Sequence, residues 1–179
     1  MFLWASQVLD MVDEENSLEG IQMALGSLPQ GLDDVYLRIV TKMSNMSLSQ
    51  IHLARNIIYW TVSVQKPLTV LELAGALESQ FGSIADFGLT IKHLCGGLIV
   101  VGEQGQIRFL HMTVREFFCN GRYTTEIGGF CIALPDAHLQ LTRRSLECLS
   151  PIRGLQVQYE SNKVEVFMRH PLSAYAASY

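Results

Sequence analysis

Apolar positions along the first ninety-five residues recur at helical spacing, and polar caps break them into segments. Residues 2–12 place Leu3, Trp4, Val8, Leu9 and Val12 near a 3.6-residue period with no cap before them, as the continuation of a longer helix would. Asn16 or Ser17, with Glu19 in the first turn, opens a second short helix through Ile21 and Leu25, and Gly26 ends it. A turn at Leu28-Pro29-Gln30-Gly31 feeds a third helix that buries Leu32, Val35, Tyr36, Ile39, Val40 and Met43. Its first turn holds Asp33 and Asp34, where the helix dipole favours carboxylates. Ser47 or Ser49 caps a helix over about 50–63, with Ile51, Ala54, Ile57 and Ile58 inside, and Pro67 cannot continue it. Thr69 with Glu72 forms a capping box for the next helix, which buries Val70, Leu73, Ala74 and Leu77. A further helix over 84–95 turns Ile84, Phe87, Ile91, Leu94 and Cys95 inward and stops at Gly96-Gly97.

The period then changes. Leu98-Ile99-Val100-Val101 and Ile107-Arg108-Phe109-Leu110 flank a Gly-containing turn and predict a β-hairpin. A helix over 112–121 follows directly, then a Gly-containing connection over 122–134, a helix over 135–149 and a last helical stretch from Pro171 to Tyr179 with no stop signal. Three helices followed by a hairpin is the order of a winged helix-turn-helix, spanning about 48–111. The fold class is therefore mainly α: a helical bundle with an embedded winged helix-turn-helix and further C-terminal helices. Three regions are expected: a helical segment over 1–46, the winged helix with its trailing helix over 47–121, and a C-terminal helical linker over 122–179.

Composition adds a constraint on partners. Apolar residues make up 49% of the 179 and charged residues only 17%, which predicts a face buried against something else. No apolar run reaches the ~18 residues a membrane span needs. The opening Met1-Phe2-Leu3-Trp4-Ala5 lacks the basic and long apolar regions of a signal peptide. The formal net charge of −4 gives no electrostatic footprint for nucleic acid or anionic lipid. Cys95, Cys119, Cys131 and Cys148 lie far apart, with no spacing that suits a zinc site or a disulfide scaffold; reduced thiols in the cytoplasm fit them.

One junction carries candidate chemistry. At Phe109-Leu110-His111-Met112-Thr113 a strand runs into a helix start, where free N–H groups and a partial positive charge suit a phosphate. His111 there either adds a hydrogen bond to such a group or simply satisfies the turn. No G-x-x-x-x-G-K-[ST] segment and no apolar run ending in paired acids is present, so the machinery for cradling and hydrolysing a nucleoside triphosphate is missing. No G-x-S-x-G elbow supports a hydrolase, and Cys119 or Cys131 paired with His111 or His138 would need an activated thiol. In a DNA reader, 84–95 would enter the major groove, yet it offers only Lys92 and His93 against Asp86. Arg143-Arg144, Arg115 and Glu116 are expected on solvated faces.

Six segments in order resemble one family: Phe2-Leu3-Trp4-Ala5; Leu28-Pro29-x-Gly31-Leu32 with Tyr36 and Ile39; Trp60 with Pro67-Leu68-Thr69 and Glu72-Leu73; Cys95-Gly96-Gly97-Leu98; Phe109-x-His111-x-Thr113-Val114-x-Glu116-Phe117; and Pro171-Leu172 with Tyr175-Ala176. Together they resemble the region after the nucleotide-binding core of fungal NACHT-domain proteins, signal-transducing NTPases of the STAND group. The same winged helix is described in fungal proteins labelled similar to GPI inositol-deacylase, a label that need not imply deacylase chemistry. The resemblance implies a non-catalytic regulatory arm that packs against its own NACHT domain and a downstream ankyrin or similar repeat domain. ADP or ATP with magnesium would belong to the parent protein and no cofactor to this chain, and oligomerisation would follow activation. It also implies that His111 contacts the β-phosphate of bound ADP. Leu110-His111-Met112 matches the family's Met-His-Asp motif in position and departs from it on both sides of the histidine. A stand-alone protein-interaction module, or less favourably a DNA-binding one, is the competing expectation.

Overall fold

The computed structural model describes residues 2–13, 15–26 and 28–149 of the chain. Helix α1 (Phe2–Asp13) packs on α2 (Leu18–Gly26) and on α3 (Leu32–Ser44). Of the two candidate caps for α2, Ser17 accepts from the Gly20 N–H at 3.0 Å. The Trp4 indole donates to the Pro29 carbonyl at 3.0 Å, which ties α1 to the turn before α3.

Helix α4 (Leu48–Ser63) begins at a capping box, with Ser47 accepting from the Gln50 N–H and Gln50 returning a bond to the Ser47 N–H. Helix α5 (Val70–Phe81) has the expected box: Glu72 accepts from the Thr69 N–H at 2.7 Å and the Thr69 hydroxyl accepts from Glu72 N–H at 3.2 Å. Thr69→Ala removes one arm of that box, and we expect a loss of about 1 kcal/mol by chemical denaturation. Helix α6 (Phe87–Leu94) starts three residues later than its apolar pattern predicts. The Asp86 carboxylate accepts from the Leu89 N–H at 2.9 Å and so fixes the first turn, leaving Ile84 to pack from the preceding loop.

Strands β1 (Ile99–Val101) and β2 (Ile107–Phe109) pair antiparallel, with Val100 opposite Arg108. The second strand also pairs with the residues before α5. Ile107 N–H donates to the Leu68 carbonyl at 2.7 Å, and Val70 N–H donates to the Gly105 carbonyl at 2.9 Å. The segment read as a helix cap is thus also the outer edge of the wing.

Helix α7 (Met112–Cys119) ends two residues short of its expected limit, because Asn120 leaves the helix and its side chain caps the next turn at Arg122 N–H. The segment expected as a connection over 122–134 folds into tight turns around α8 (Thr124–Ile127). It buries Ile127, Phe130 and Ile132, and Ile132 N–H donates to the Phe118 carbonyl at 2.9 Å. Helix α9 (Leu134–Leu149) then lies along α4, with Ala137 buried and the Tyr59 hydroxyl bonded to the Asp136 carbonyl. One apolar core runs through all of this. Tyr36, Ile57, Ile58, Leu73, Ile91, Leu98 and Phe118 are among its fully buried members. The helical stretch expected from Pro171 lies outside the described residues.

Candidate functional site

His111 occupies the N-cap of α7 with an extended backbone, the conformation that lets a cap side chain fold back on its own helix. Its Nδ1 accepts from the Thr113 N–H at 3.3 Å and lies 2.9 Å from the Thr113 hydroxyl. That hydroxyl is in turn 2.8 Å from the phenol of Tyr36, on α3. An Nδ1 that accepts from a backbone N–H carries no proton, so the neutral ring is protonated at Nε2. In that tautomer Thr113 donates to His111 and Tyr36 donates to Thr113; in the other, Nδ1–H donates to the Thr113 hydroxyl. Burial pushes the Tyr36 phenol above its ordinary pKa, with nearby Asp33 acting the same way and the Thr113 bond opposing both, so Tyr36 keeps the proton it donates.

The outcome for His111 is a division of labour. Nδ1 satisfies the local turn and uses the Thr113 N–H, one of the donors that a helix start would otherwise offer an anion. Nε2–H makes no hydrogen bond among the described residues, and the side chain is exposed. An oriented, outward-facing N–H donor is what this arrangement can offer chemically.

Beside it opens a cavity of about 570 Å³ between the start of α3 and the outer side of α7. Thr113 and Tyr123 line it together with three carboxylates, Asp33, Asp34 and Glu116. Asp33 accepts from the Tyr123 hydroxyl at 2.6 Å, and Asp34 accepts from the Gln30 N–H at 3.0 Å. Asp34 therefore serves the turn into α3, and Asp33, besides standing in the first turn of the helix, ties α3 to Tyr123. The cavity lining contains no basic side chain and does not include His111, so with three carboxylates it is a poor place for a phosphate.

Other candidates resolve simply. Burial raises the Cys119 thiol, opposed by Arg115 and assisted by Cys131, and it pushes Cys95 up to about 12. Thiols held protonated make poor nucleophiles. Arg115 is exposed as expected, but its guanidinium also donates to the Val62 carbonyl at the end of α4. No cluster that would hold a metal ion is found among the described residues, and no helix there is long and apolar enough to cross a membrane. On the face where a DNA reader carries its basic residues, α6 exposes Leu89, Lys92 and His93.

Helices α4, α5 and α6, with a hairpin closed onto the start of α5, define a winged-helix domain. Residues 41–129 match the family model of the GPI inositol-deacylase winged helix domain. That span takes in the winged helix, α7 and the turns that follow it. No curated protein and no solved structure matches the chain.

Proposed function

We propose that this chain is the non-catalytic regulatory arm of a nucleotide-switched signal-transduction NTPase, acting in the cytoplasm. In the closed state the arm packs against its parent NACHT domain, and the Nε2–H of His111 donates to the β-phosphate of bound ADP. Exchange for ATP, driven by ligand sensing in a downstream repeat domain, removes that contact and frees the arm for oligomerisation. The observation that carries this reading is an exposed histidine at the α7 N-cap, joined through Thr113 to the buried Tyr36. A donor with a fixed direction discriminates between nucleotide states; a freely rotating one does so poorly.

The test is His111→Ala in the full-length protein. Retained ADP should fall and basal signalling should rise, by roughly the 5–150-fold range typical of coupling between sites. Unchanged nucleotide retention together with unchanged basal output would remove His111 from the mechanism. Tyr36→Phe in the same background should give a smaller effect of the same sign, since it withdraws the relay and leaves the ring.

A second reading, a module that docks another protein directly, is favoured by one observation. Leu71 on α5 and Leu89 on α6 are 72% and 65% exposed on the helix-turn-helix face itself. Apolar side chains there suit a protein surface better than a phosphate backbone.

A further inference from the structure

Arg55 on α4 is a cation without a counterion. Its guanidinium lies over the Phe130 ring, 5.2 Å from the centroid. The backbone of Gly129 also closes on it: a Cβ there would come within 2.4 to 2.7 Å of three guanidinium atoms. The group is therefore hemmed in by a ring and a backbone. Its Nε is fully buried and has no hydrogen-bond partner, and no carboxylate pairs with the group among the described residues. Leaving a buried donor unmatched costs about 1–3 kcal/mol, more for a charged group, so the group is held in this position at a cost in stability. The same guanidinium borders a cavity of about 340 Å³ between α4, the 128–130 turn and the start of α9. Asn56 and Gln140 add amide groups to the walls, and Tyr59 and Ile132 add apolar surface.

We infer that this cavity is a binding site for a carboxylate, taken by Arg55 through its two terminal Nη N–H groups. A guanidinium hemmed in this way has already lost the freedom that binding would otherwise remove, and its two parallel donors match two coplanar oxygens. The apolar walls suit the stem that carries the charge, so the ligand class is an acidic side chain on a docking protein segment. Asp136 also lines the cavity and opposes any anion that enters. It penalises a doubly charged phosphate more than a singly charged carboxylate, which is the second reason for choosing the latter. The site stands independently of the nucleotide-switch reading, because it lies on the α9 side of α4 and uses none of the His111 relay.

The experiment is a titration of the 179-residue chain followed by ¹⁵N NMR of the arginine Nε–H groups and the backbone. The probes are a short capped peptide bearing one glutamate, its glutamine counterpart, and inorganic phosphate. The glutamate peptide should shift the Arg55 Nε–H and the 129–136 amides saturably, with a Kd on the order of 1 mM, as a single charged contact permits. The glutamine peptide should not. Asp136→Asn should tighten the glutamate peptide several-fold. Gly129→Ala should weaken it at least about tenfold, because the added methyl would strike the guanidinium and push it from its place beside the cavity, with no backbone atom in its way. Arg55→Lys, which keeps the charge and loses the fork, should weaken it similarly. Equal shifts from both peptides, no saturable shift in either wild type or Asp136→Asn, or tighter binding of phosphate than of the glutamate peptide would each overturn the assignment.

Discussion

Phe118→Ala should be the most damaging truncation in the chain, lowering stability by about 3–5 kcal/mol. Phe118 is fully buried, meets Phe117 edge-on with centroids 5.4 Å apart, and faces Phe109 of the wing at 6.1 Å. Its carbonyl also receives the Ile132 N–H, so the returning 128–132 segment is laid against the same position. The ring therefore joins α7 to the hairpin, while the main chain at the same residue holds the turn before α9. Small domains are stable by only about 5–15 kcal/mol, so the loss would consume a large part of the total. Urea denaturation should show a much lower midpoint with an unchanged slope. A shift worth less than ~1 kcal/mol would mean that α7 and the hairpin do not depend on this ring. Phe118→Leu, which refills most of the space, should recover more than half of the loss.

How far the sequence reveals this fold depends on the range of each interaction. Thr69 with Glu72 acts over three residues, and its box appears where the sequence puts it; at α4 Ser47 proves the cap of the two candidates, and Gln50 completes a box the sequence reading does not single out. The winged helix follows from the same local signals plus one change of period at Gly96-Gly97. What was not legible is long-range. The pairing of Leu68 and Val70 with the second wing strand involves two residues that show no alternation, so nothing in the pattern marks them as strand. The start of α6 was misplaced because Ile84 fits the apolar period, whereas the Asp86 cap decides where the backbone turns.

The candidate site divides in the same way. His111 stands out in the sequence because it falls at a strand-to-helix junction. Its partner Tyr36 reads there only as a core aromatic, since nothing local says that its hydroxyl will reach Thr113 on another helix. Arg55 left no signal at all. A lone arginine on an apolar helix reads as a solvated end, and the glycine that walls it sits in what looks like a plain connection. Contacts set by tertiary approach alone, without a cap, a period or a turn residue, are those the sequence withholds.

The second large effect belongs to Gly96, and it can be separated into two physical parts. Gly96 and Gly97 join α6 to β1, both with positive φ, at 54° and 79°. An L side chain at either position is strained by about 1–2 kcal/mol. At Gly97 that is the whole cost, because a Cβ there would meet nothing within 4 Å. At Gly96 a Cβ would come 2.6 Å from Cγ2 of Ile39 on α3. That methyl is attached directly to a β-branched carbon on a helix, so it has little freedom to withdraw. Gly96→Ala should therefore cost about 3–4 kcal/mol, and Gly97→Ala about 1–2. Ile39→Ala combined with Gly96→Ala should cost less than the two single changes summed, by ~1 kcal/mol or more, because the first removes the methyl that the second strikes. Additive losses would show that strain alone makes the glycine necessary. Favourable coupling would show that α3 packs directly on the α6–β1 turn through the Ile39 methyl, a contact that only a residue without a Cβ permits.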